Sequence, residues 1–468
     1  MNVNVQQRPN VIWILVDQMR AQAMSHRGDP NVSTPNLDRM AIDGVNFTQA
    51  VSGTPLCCPF RGSMLTGRYP HLSSVPALNS PLSVDAVTVA HCFRDQGYRT
   101  AYIGKWHVDG NRPELDMKDP RNNKEVRFIP RERRGGFEDW WAYENNNQPF
   151  HCYVHTDGPS GEEQLFRLNG YETDALTDLF LDWVKRRSEL APEQPFFGVL
   201  SVQPPHDPYV APAADMSRHR AANVELRPNV PPVAGIRERA QAELAGYYAA
   251  IERIDFNVGR IRDELRRLGL DQNTYVVFFS DHGDMHGSHG QFRKMAPWEE
   301  SIRIPLLVSG PTRKSYKTQE CPALLNHVDI APTTLGLCGI QPPASMQGFD
   351  YSPWIVSSNT PEQDLPESAY LSLPVPTAMQ TGLIPEEGID RPYRGIVTRD
   401  GWKYVAMESQ PWLMYNLGED PYETVNLAYN VFYQAKRREL HTMLLAWIEQ
   451  TEDTFVLPQS PDSPAWKG

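Results

Sequence analysis

Long apolar runs, paired cysteines and an excess of basic charge are all missing from this chain of 468 residues. No segment approaches the roughly 20 consecutive apolar residues that a transmembrane helix needs. The N-terminus also lacks the basic start and apolar stretch of a secretory signal peptide. We therefore expect a cytoplasmic protein that does not associate with a membrane.

Cysteine and basic residues are too few or too scattered for several kinds of site. Of the six cysteines, only Cys57 and Cys58 are close together, which argues against a disulfide framework or a zinc–thiolate site. Lys and Arg number 45 against 57 Asp and Glu, a formal net charge of -12. An acidic chain is a poor default ligand for nucleic acid. If its substrate is an anion, the cations that bind it must be gathered locally.

Apolar segments of strand length alternate with amphipathic segments of helical length over roughly the first 340 residues. Val11 to Val16, Phe196 to Val202 and Thr274 to Phe279 are apolar on both faces, which is typical of buried parallel strands. Helical spacing of apolar residues marks Thr173 to Arg187 and Ala240 to Leu268. The pattern predicts an α/β fold with a large, doubly wound, mostly parallel sheet and helices on both faces.

The end of the chain has a different pattern. Short β-like segments follow one another closely between Ala369 and Asn416, and a helix is predicted from about Val431 to Glu449. We expect a small antiparallel sheet with one helix. The predicted division is a catalytic α/β domain over residues 1–345 and a C-terminal α+β subdomain over residues 346–468.

Residues 111–170 form the least regular stretch, polar and carrying Trp140 and Trp141 side by side. Long irregular segments in compact enzymes are often functional, although a solvated insertion is an equal alternative. The two tryptophans can belong to the core, or they can offer a flat surface for a sugar ring.

The segment from Pro55 to Pro70 has the most informative local pattern. Cys57 and Cys58 precede Pro59, a residue suited to the start of a helix, and Gly67 is suited to its end. Buried free cysteines are common, and that structural interpretation remains open. It does not explain why Arg61 follows Cys57 by one helical turn. A nucleophile at a helix N-terminus with a guanidinium one turn on is suited to an anion.

Polar pairs follow two of the predicted strands. Asp17-Gln18 ends the first strand, and Asp281-His282 follows the strand that ends near Phe279. For one pair alone, a turn or a helix cap is the favoured interpretation. Two pairs at the carboxyl ends of two strands favour a ligand site, because open α/β sheets bind ligands there.

Three further segments carry cations and imidazoles. Lys105 and His107 lie in a Gly-Lys-Trp-His segment after a short strand, and His206 is enclosed by prolines after another. Taken alone, each of these two segments is explained about equally well as a surface turn and as part of a functional site. Lys294 lies in the segment from His289, with Arg293 beside it as a competing candidate.

Taken in order, these motifs resemble the type I sulfatases, a formylglycine-dependent family of the alkaline phosphatase superfamily. The resemblance is carried by the Cys-x-Pro-x-Arg pattern from Cys57 to Arg61, by Leu65-Thr-Gly-Arg68 after it, and by the segments around Lys105, His206 and Lys294. It covers most of the chain, up to the stretch from Leu417 to Glu423 and beyond. The family usually has a small residue where this chain has Phe60. Gln18 and His282 are more similar to the choline-sulfatase and phosphonate-monoester-hydrolase branches.

The resemblance implies a role for each matching residue. Cys57 is converted to formylglycine by a formylglycine-generating maturation enzyme, and Arg61 orients the aldehyde hydrate. Lys105 and Lys294 hold the sulfate oxygens, His206 protonates the departing alcohol, and His107 takes a proton beside the formylglycine. The implied metal ligands are residue 57 together with the strand-end pairs, namely Asp17, Gln18, Asp281 and His282.

The chemistry explains why such a nucleophile is useful. A hydrated aldehyde carries two hydroxyls on one carbon, so one attacks sulfur and the other later expels the sulfate. A divalent metal lowers the hydroxyl pKa and neutralises sulfate oxygens. Oxygen ligands suit Ca²⁺, Mg²⁺ or Mn²⁺, and the imidazole favours Mn²⁺.

We therefore expect hydrolysis of a carbohydrate, alkyl or aryl sulfate monoester, and the sequence leaves open whether the chain forms a homo-oligomer. One alternative is a phosphonate monoester or phosphodiester hydrolase of the same fold. Another, from a different class, is an inactive sulfate-binding scaffold. The Lys105 and His107 pair favours sulfate, since the phosphonate branch tends to lack it.

Overall fold

The apolar segments of the sequence assemble into one large sheet. The computed structural model describes residues 8–112, 114–116, 118–311, 320–356, 365–376 and 391–458. Ten strands form the large sheet: β1 (Asn10–Asp17), β2 (Val45–Phe47), β3 (Arg99–Lys105), β4 (Asp139–Tyr143), β5 (Tyr153–Asp157), β6 (Glu163–Arg167), β7 (Phe196–Pro205), β8 (Thr274–Ser280), β9 (Leu306–Ser309) and β10 (Glu320–Cys321). Their order is β10-β2-β9-β8-β1-β7-β3-β4-β5-β6.

The centre of this sheet is parallel and its flanks are mixed. Strands β8, β1, β7, β3 and β4 run parallel, whereas β9 is antiparallel to both β8 and β2, and β5 is antiparallel to β4 and β6.

The described part of the chain contains ten α-helices: α1 (Pro35–Asp43), α2 (Cys57–Thr66), α3 (Val89–Asp95), α4 (Glu172–Leu190), α5 (Ala213–Met216), α6 (Ala234–Arg267), α7 (Glu299–Ile302), α8 (Ile330–Leu337), α9 (Ser352–Val356) and α10 (Gln434–Gln450).

Alternate residues of β1 serve two separate apolar cores, as strand geometry requires. Trp13 packs on one face with residues of α2, α3 and α8. Ile14 packs on the other face with residues of α1, α4 and α6. Helices therefore cover both faces of the sheet, and the predicted α/β fold class is confirmed.

The prediction that residues 111–170 are irregular is wrong in part. Strands β4, β5 and β6 lie in this stretch and extend the sheet at one edge. Trp140 is 2% exposed in β4, and Trp141 packs against the opposite core, so both tryptophans have the core role. All five residues of β6 are exposed, which explains why hydrophobic pattern did not reveal it.

A second, antiparallel sheet lies near the end of the chain. Its strands follow chain order: β11 (Ser368–Leu373), β12 (Tyr393–Thr398), β13 (Trp402–Ala406) and β14 (Pro411–Asn416). Tyr370 and Tyr404 of this sheet share a core with Leu440 and Leu444 of α10. The predicted small sheet with one helix is thus present, and the division at residue 345 stays a prediction. Among the described residues, no helix is long and apolar enough to cross a membrane.

Buried ion pairs connect the small sheet to helix α7 and to the segment that follows β14. The Nζ atom of Lys403 in β13 lies 2.8 Å from Glu299 of α7 and 2.6 Å from Glu423. Lys403 is 0% exposed. Burial would raise the pKa of Glu299, but Arg303 and Lys403 together hold it well below its usual range. Burial raises the pKa of Glu423 to about 7. Lys403 thus separates two buried carboxyl groups from different parts of the chain.

We expect Lys403→Met to destabilise the protein strongly. Removing one member of a buried ion pair typically costs about 3–5 kcal/mol, because the remaining charge is left uncompensated. Lys436→Met is the matched control, since Lys436 pairs with Asp400 and Glu439 at the surface. Exposed pairs contribute about 0–1 kcal/mol. Urea unfolding measures both free energies, and a loss for Lys403→Met no larger than the control would contradict the assigned role.

Candidate active site

The carboxyl ends of β1 and β8 bring the two predicted strand-end pairs together. These strands are parallel neighbours with Val16 opposite Ser280, so Asp17 and Asp281 leave the sheet side by side. Asp17, Cys57, Asp281 and His282 each offer a ligand atom, and these four atoms lie within 4.8 Å of one another. All four residues are buried. Sequence positions separated by more than 200 residues thus form one compact cluster.

The donor atoms of this cluster are aimed inward. The Nδ1 atom of His282 lies 3.0 Å from the carbonyl oxygen of Gly283, which leaves Nε2 facing the cluster at 3.1 Å from Cys57 Sγ. The Sγ atom of Cys57 lies 3.7 Å from Asp17 Oδ1. Asp281 Oδ2 has no hydrogen-bond partner, although the Arg61 guanidinium is 3.3 Å away.

The two carboxyl groups respond differently to their surroundings. Burial would raise the pKa of Asp17, but Lys105, His206 and Arg61 hold it well below its usual range. For Asp281, burial and the nearby charge of Asp17 raise the pKa. A second carboxylate is therefore costly here unless a further cation is close by. Two carboxylates, an imidazole nitrogen and residue 57 suit one divalent metal ion, and the unpartnered Oδ2 of Asp281 supports that fit.

Cys57 is the first residue of α2, so its side chain lies at the positive end of the helix. Leu56 before it is extended, and the helix ends at Gly67, whose φ of 63° allows its amide to bond Ser63. The predicted helix and its glycine stop are confirmed, but the helix begins at Cys57, two residues before the predicted start at Pro59. Cys57 is 1% exposed and Cys58 is 0% exposed. Only Cys57 belongs to the donor cluster.

Arg61 lies one turn along α2 and is completely buried among acceptors. Its guanidinium donates to the carbonyl oxygen of Lys105 at 2.9 Å, to Ser201 Oγ at 2.9 Å and to Asp17 Oδ2 at 3.2 Å. Ser201, on β7, was not predicted. A hydroxyl within an otherwise apolar buried strand was the available signal.

Lys105 and His107 lie at the end of β3, on the same edge of the sheet. The Nζ atom of Lys105 is 2.7 Å from Asp17 Oδ2 and is 0% exposed. His107 has a φ of 58°, which directs its side chain out of the strand, and its Nδ1 atom lacks a partner. Burial, with Lys105 and Arg61 nearby, lowers the pKa of His107 well below its usual range. His107 is therefore neutral and able to accept a proton.

His206 and Lys294 form a direct pair. Lys294 Nζ lies 2.7 Å from His206 Nε2 and 2.6 Å from Gln18 Oε1. Burial and the Lys294 charge lower the pKa of His206 to about 3, so the imidazole is neutral. Arg293, the competing candidate, bonds Tyr209 at 2.7 Å and Glu243 at 2.9 Å instead.

A second layer of polar residues behind Lys294 was missed from the sequence. Asp284 is 0% exposed and accepts hydrogen bonds from Gln18 at 2.6 Å and from Tyr209 at 2.5 Å. Asp284 follows Asp281 within the same Ser-Asp-His-Gly-Asp run, and that proximity was the only signal.

Together these residues make a concentrated cationic pocket in an acidic chain. Arg61, Lys105 and Lys294 are each at most 2% exposed and converge around the donor cluster. Such an arrangement can bind a tetrahedral anion and stabilise negative charge that develops on it. A nucleophile at residue 57, a neutral imidazole at His107 and a proton-bearing pair at Lys294 and His206 complete a set suited to ester hydrolysis.

Comparisons with known proteins give a consistent result. The model of the sulfatase family matches residues 9–340. A second model, described as the C-terminal part of N-sulphoglucosamine sulphohydrolase, matches residues 287–450.

Two curated relatives exceed 30% identity. An ulvan-active sulfatase of Formosa agariphila is 33% identical over 455 residues, which is 96% of this chain and 82% of that protein. An endo-4-O-sulfatase of Bacteroides thetaiotaomicron is 32% identical over 386 residues, covering 74% of this chain and 73% of that protein. Among solved structures, the Bacteroides fragilis sulfatase homologue yidJ superposes with a TM-score of 0.83 at 28% identity, covering 96% of this chain and 97% of that one.

Proposed function

The chain belongs to the sulfatase family and is a sulfuric ester hydrolase, and from that premise we propose that it hydrolyses a carbohydrate sulfate monoester through a formylglycine at residue 57 and one divalent metal ion. The observation that carries this proposal is the cluster of Asp17, Cys57, Asp281 and His282, whose ligand atoms lie within 4.8 Å of one another. The two relatives above 30% identity, named for ulvan and for an endo-acting 4-O-sulfatase, support a saccharide as the alcohol.

Asp17, Asp281 and His282 would hold the metal together with residue 57. The donor set suits Ca²⁺, Mg²⁺ or Mn²⁺, and the imidazole of His282 favours Mn²⁺. When bound, such an ion polarises sulfate oxygens and lowers the pKa of a neighbouring hydroxyl. The protein's own contribution is to fix the donors, since His282 is held by the carbonyl of Gly283 and Asp17 by Lys105 and Arg61.

We assign the role of nucleophile to residue 57. We propose that a formylglycine-generating maturation enzyme oxidises the Cys57 side chain to an aldehyde and removes its sulfur. Arg61 and the first turn of α2 give this position a positive environment, which favours the ionised form of a hydroxyl there. Neutral His107 can take a proton at the same end of the pocket.

The departing alcohol needs a proton from the opposite side of sulfur. Lys294 and His206 share one hydrogen bond of 2.7 Å, and the low pKa of His206 means that the proton resides on Lys294. Lys294 therefore supplies the proton directly or through His206. We assign the acid to this pair and the base to His107, because an in-line displacement needs the two proton transfers at opposite ends.

The first test concerns residue 57. Peptide mapping of active enzyme should show residue 57 lighter than cysteine by the difference between a thiol and an aldehyde. Cys57→Ala should abolish hydrolysis of sulfate esters, because no nucleophile remains. Cys58→Ala is the matched control at the next buried thiol and should retain most of the activity. Full activity with an unmodified Cys57 would contradict the proposal.

The second test concerns the metal. Asp281→Asn and His282→Ala should each lower the metal content of purified protein, because the first removes a ligand's negative charge and the second removes a nitrogen donor from a four-residue set. Asp43→Asn, at a surface pair with Arg39, is the control and should leave metal content unchanged. Elemental analysis after dialysis measures the content. Activity that survives complete chelation would overturn the metal assignment.

The third test concerns the leaving group. His206→Ala should slow alkyl sulfates by about 10²–10⁴-fold, the usual contribution of a proton-transfer group. Aryl sulfates should be affected much less, since a phenol departs without much assistance. Steady-state kinetics with one alkyl and one aryl sulfate give the comparison. Equal losses on both substrates would show that His206 does not act on the leaving group.

A further inference from the structure

Gln18 follows the candidate ligand Asp17 directly, but both ends of its side chain are engaged by the protein. Its backbone has a φ of 70°, and the residue is 0% exposed. The amide oxygen accepts a hydrogen bond from Lys294 Nζ at 2.6 Å. The amide nitrogen donates to Asp284 Oδ2 at 2.6 Å and lies 3.2 Å from the Tyr209 hydroxyl.

Chemistry fixes the orientation of this amide. An ammonium group can only donate hydrogen bonds, and an ionised carboxylate can only accept them. The oxygen of Gln18 must therefore face Lys294, and its nitrogen must face Asp284. The opposite orientation would set an NH₂ group against the ammonium and a carbonyl against the carboxylate.

Asp284 is itself held rigidly. Its Oδ1 atom accepts from the backbone amide of His286 at 3.1 Å and from that of Arg293 at 2.9 Å. Its Oδ2 atom accepts from Tyr209 as well as from Gln18. The second of those backbone amides belongs to the residue before Lys294, so Asp284 contacts this segment both directly and through Gln18.

The hydrogen bonds beyond Lys294 also have a fixed donor-to-acceptor direction. The ammonium donates to His206 Nε2 at 2.7 Å, and His206 Nδ1 lies 2.8 Å from the carbonyl oxygen of Asp207. Every donor and acceptor in this series is determined by the carboxylate of Asp284 at one end and the carbonyl of Asp207 at the other. Reversing one amide would therefore displace the ammonium from the imidazole.

We propose that Asp284 is a positioning residue, and that Gln18 is the bridge through which it holds Lys294 against His206, rather than a metal ligand. This inference rests on the proposed function, because it takes Lys294 and His206 as the groups that serve the departing alcohol. It assigns to the Asp284 carboxylate a role at a distance from the reacting atoms.

A pair of complementary substitutions tests this polarity. In Asp284→Asn, the one remaining side-chain oxygen accepts from the two backbone amides, so the new NH₂ group faces Gln18. The Gln18 amide must then turn its oxygen toward this NH₂ group and its own NH₂ group toward Lys294. Gln18→Glu alone places a carboxylate against Asp284. In the double variant, Glu at position 18 accepts from both Asn at 284 and Lys294, so the bond between positions 18 and 284 is reversed but every donor again faces an acceptor and Lys294 keeps its contact.

We expect each single variant to lose at least about tenfold in kcat for an alkyl sulfate, since a misplacement of about 1 Å can cost about 10²-fold. The loss for an aryl sulfate should be clearly smaller. The double variant should recover most of the alkyl rate, a coupling that a double-mutant cycle measures directly. Equal alkyl and aryl losses, or no recovery in the double variant, would overturn the proposal.

The matched control is Asp255→Asn. Asp255 is also a buried carboxylate that accepts from a side-chain amide, Asn36 Nδ2 at 2.9 Å, and from two backbone amides, those of Asn36 and Leu37. Its substitution should lower stability and leave the ratio of alkyl to aryl rates unchanged. A shifted ratio in this control would mean that the ratio reports general disturbance, and the proposal would then fail.

Metal content provides a readout that does not depend on activity. Gln18→Met should retain the metal content of the wild-type protein, because its amide oxygen is already used by Lys294. Loss of metal in Gln18→Met would overturn the bridging role and return Gln18 to the ligand set. Failure of the proposed function is distinguishable, since the wild-type enzyme would then hydrolyse neither sulfate ester.

Discussion

Two carboxylates buried side by side at one edge of a sheet are the constraint on which this site depends. Asp17 and Asp281 leave neighbouring parallel strands, and their mutual repulsion raises the pKa of Asp281 beyond what burial alone does. Arg61 contacts both groups, and Lys105 contacts Asp17 at 2.7 Å. A buried carboxylate is stable only when a cation is paired with it, so the fold requires Arg61 and Lys105 at these positions. Because they lie beside the cluster of Asp17 and Asp281, the same two cations can also contact an anionic substrate.

The order and register of the strands bring the side chains of the site together, although these residues are far apart in the sequence. β1, β3, β7 and β8 are adjacent and parallel, so Asp17, Lys105, Ser201 and Asp281 come to the same edge from four distant parts of the sequence. Only residue 57 and Arg61 come from one helix, and there the spacing of one turn is what matters. The small C-terminal sheet is joined to helix α7 by the buried ion pairs of Lys403 with Glu299 and Glu423.

Much of this arrangement could be predicted from sequence, for physical reasons that differ between elements. The strands carrying Asp17 and Asp281 are apolar on both faces, which made them recognisable, and Cys57 with Arg61 forms a short local motif. Strands β5 and β6 escaped for different reasons: all five residues of β6 are exposed, and the buried centre of β5 holds only one apolar residue, Val154, beside His155 and Thr156. Asp284 and Ser201 escaped because their roles depend on Gln18 and Arg61, which are 266 and 140 residues away, and a single polar residue gives no sequence signal of such a partner.

The burial of Cys57 has a consequence for the biogenesis of the protein. The thiol is 1% exposed, and its Sγ atom lies 3.1 Å from His282 and 3.7 Å from Asp17. If residue 57 is oxidised as proposed, a second enzyme could not reach the buried side chain after α2 has packed on the sheet, so the oxidation would have to precede folding. Under that proposal, a cell that makes the chain faster than it modifies it would accumulate folded protein without the nucleophile. The yield of active molecules would then depend on the rate of synthesis and not on thermodynamic stability.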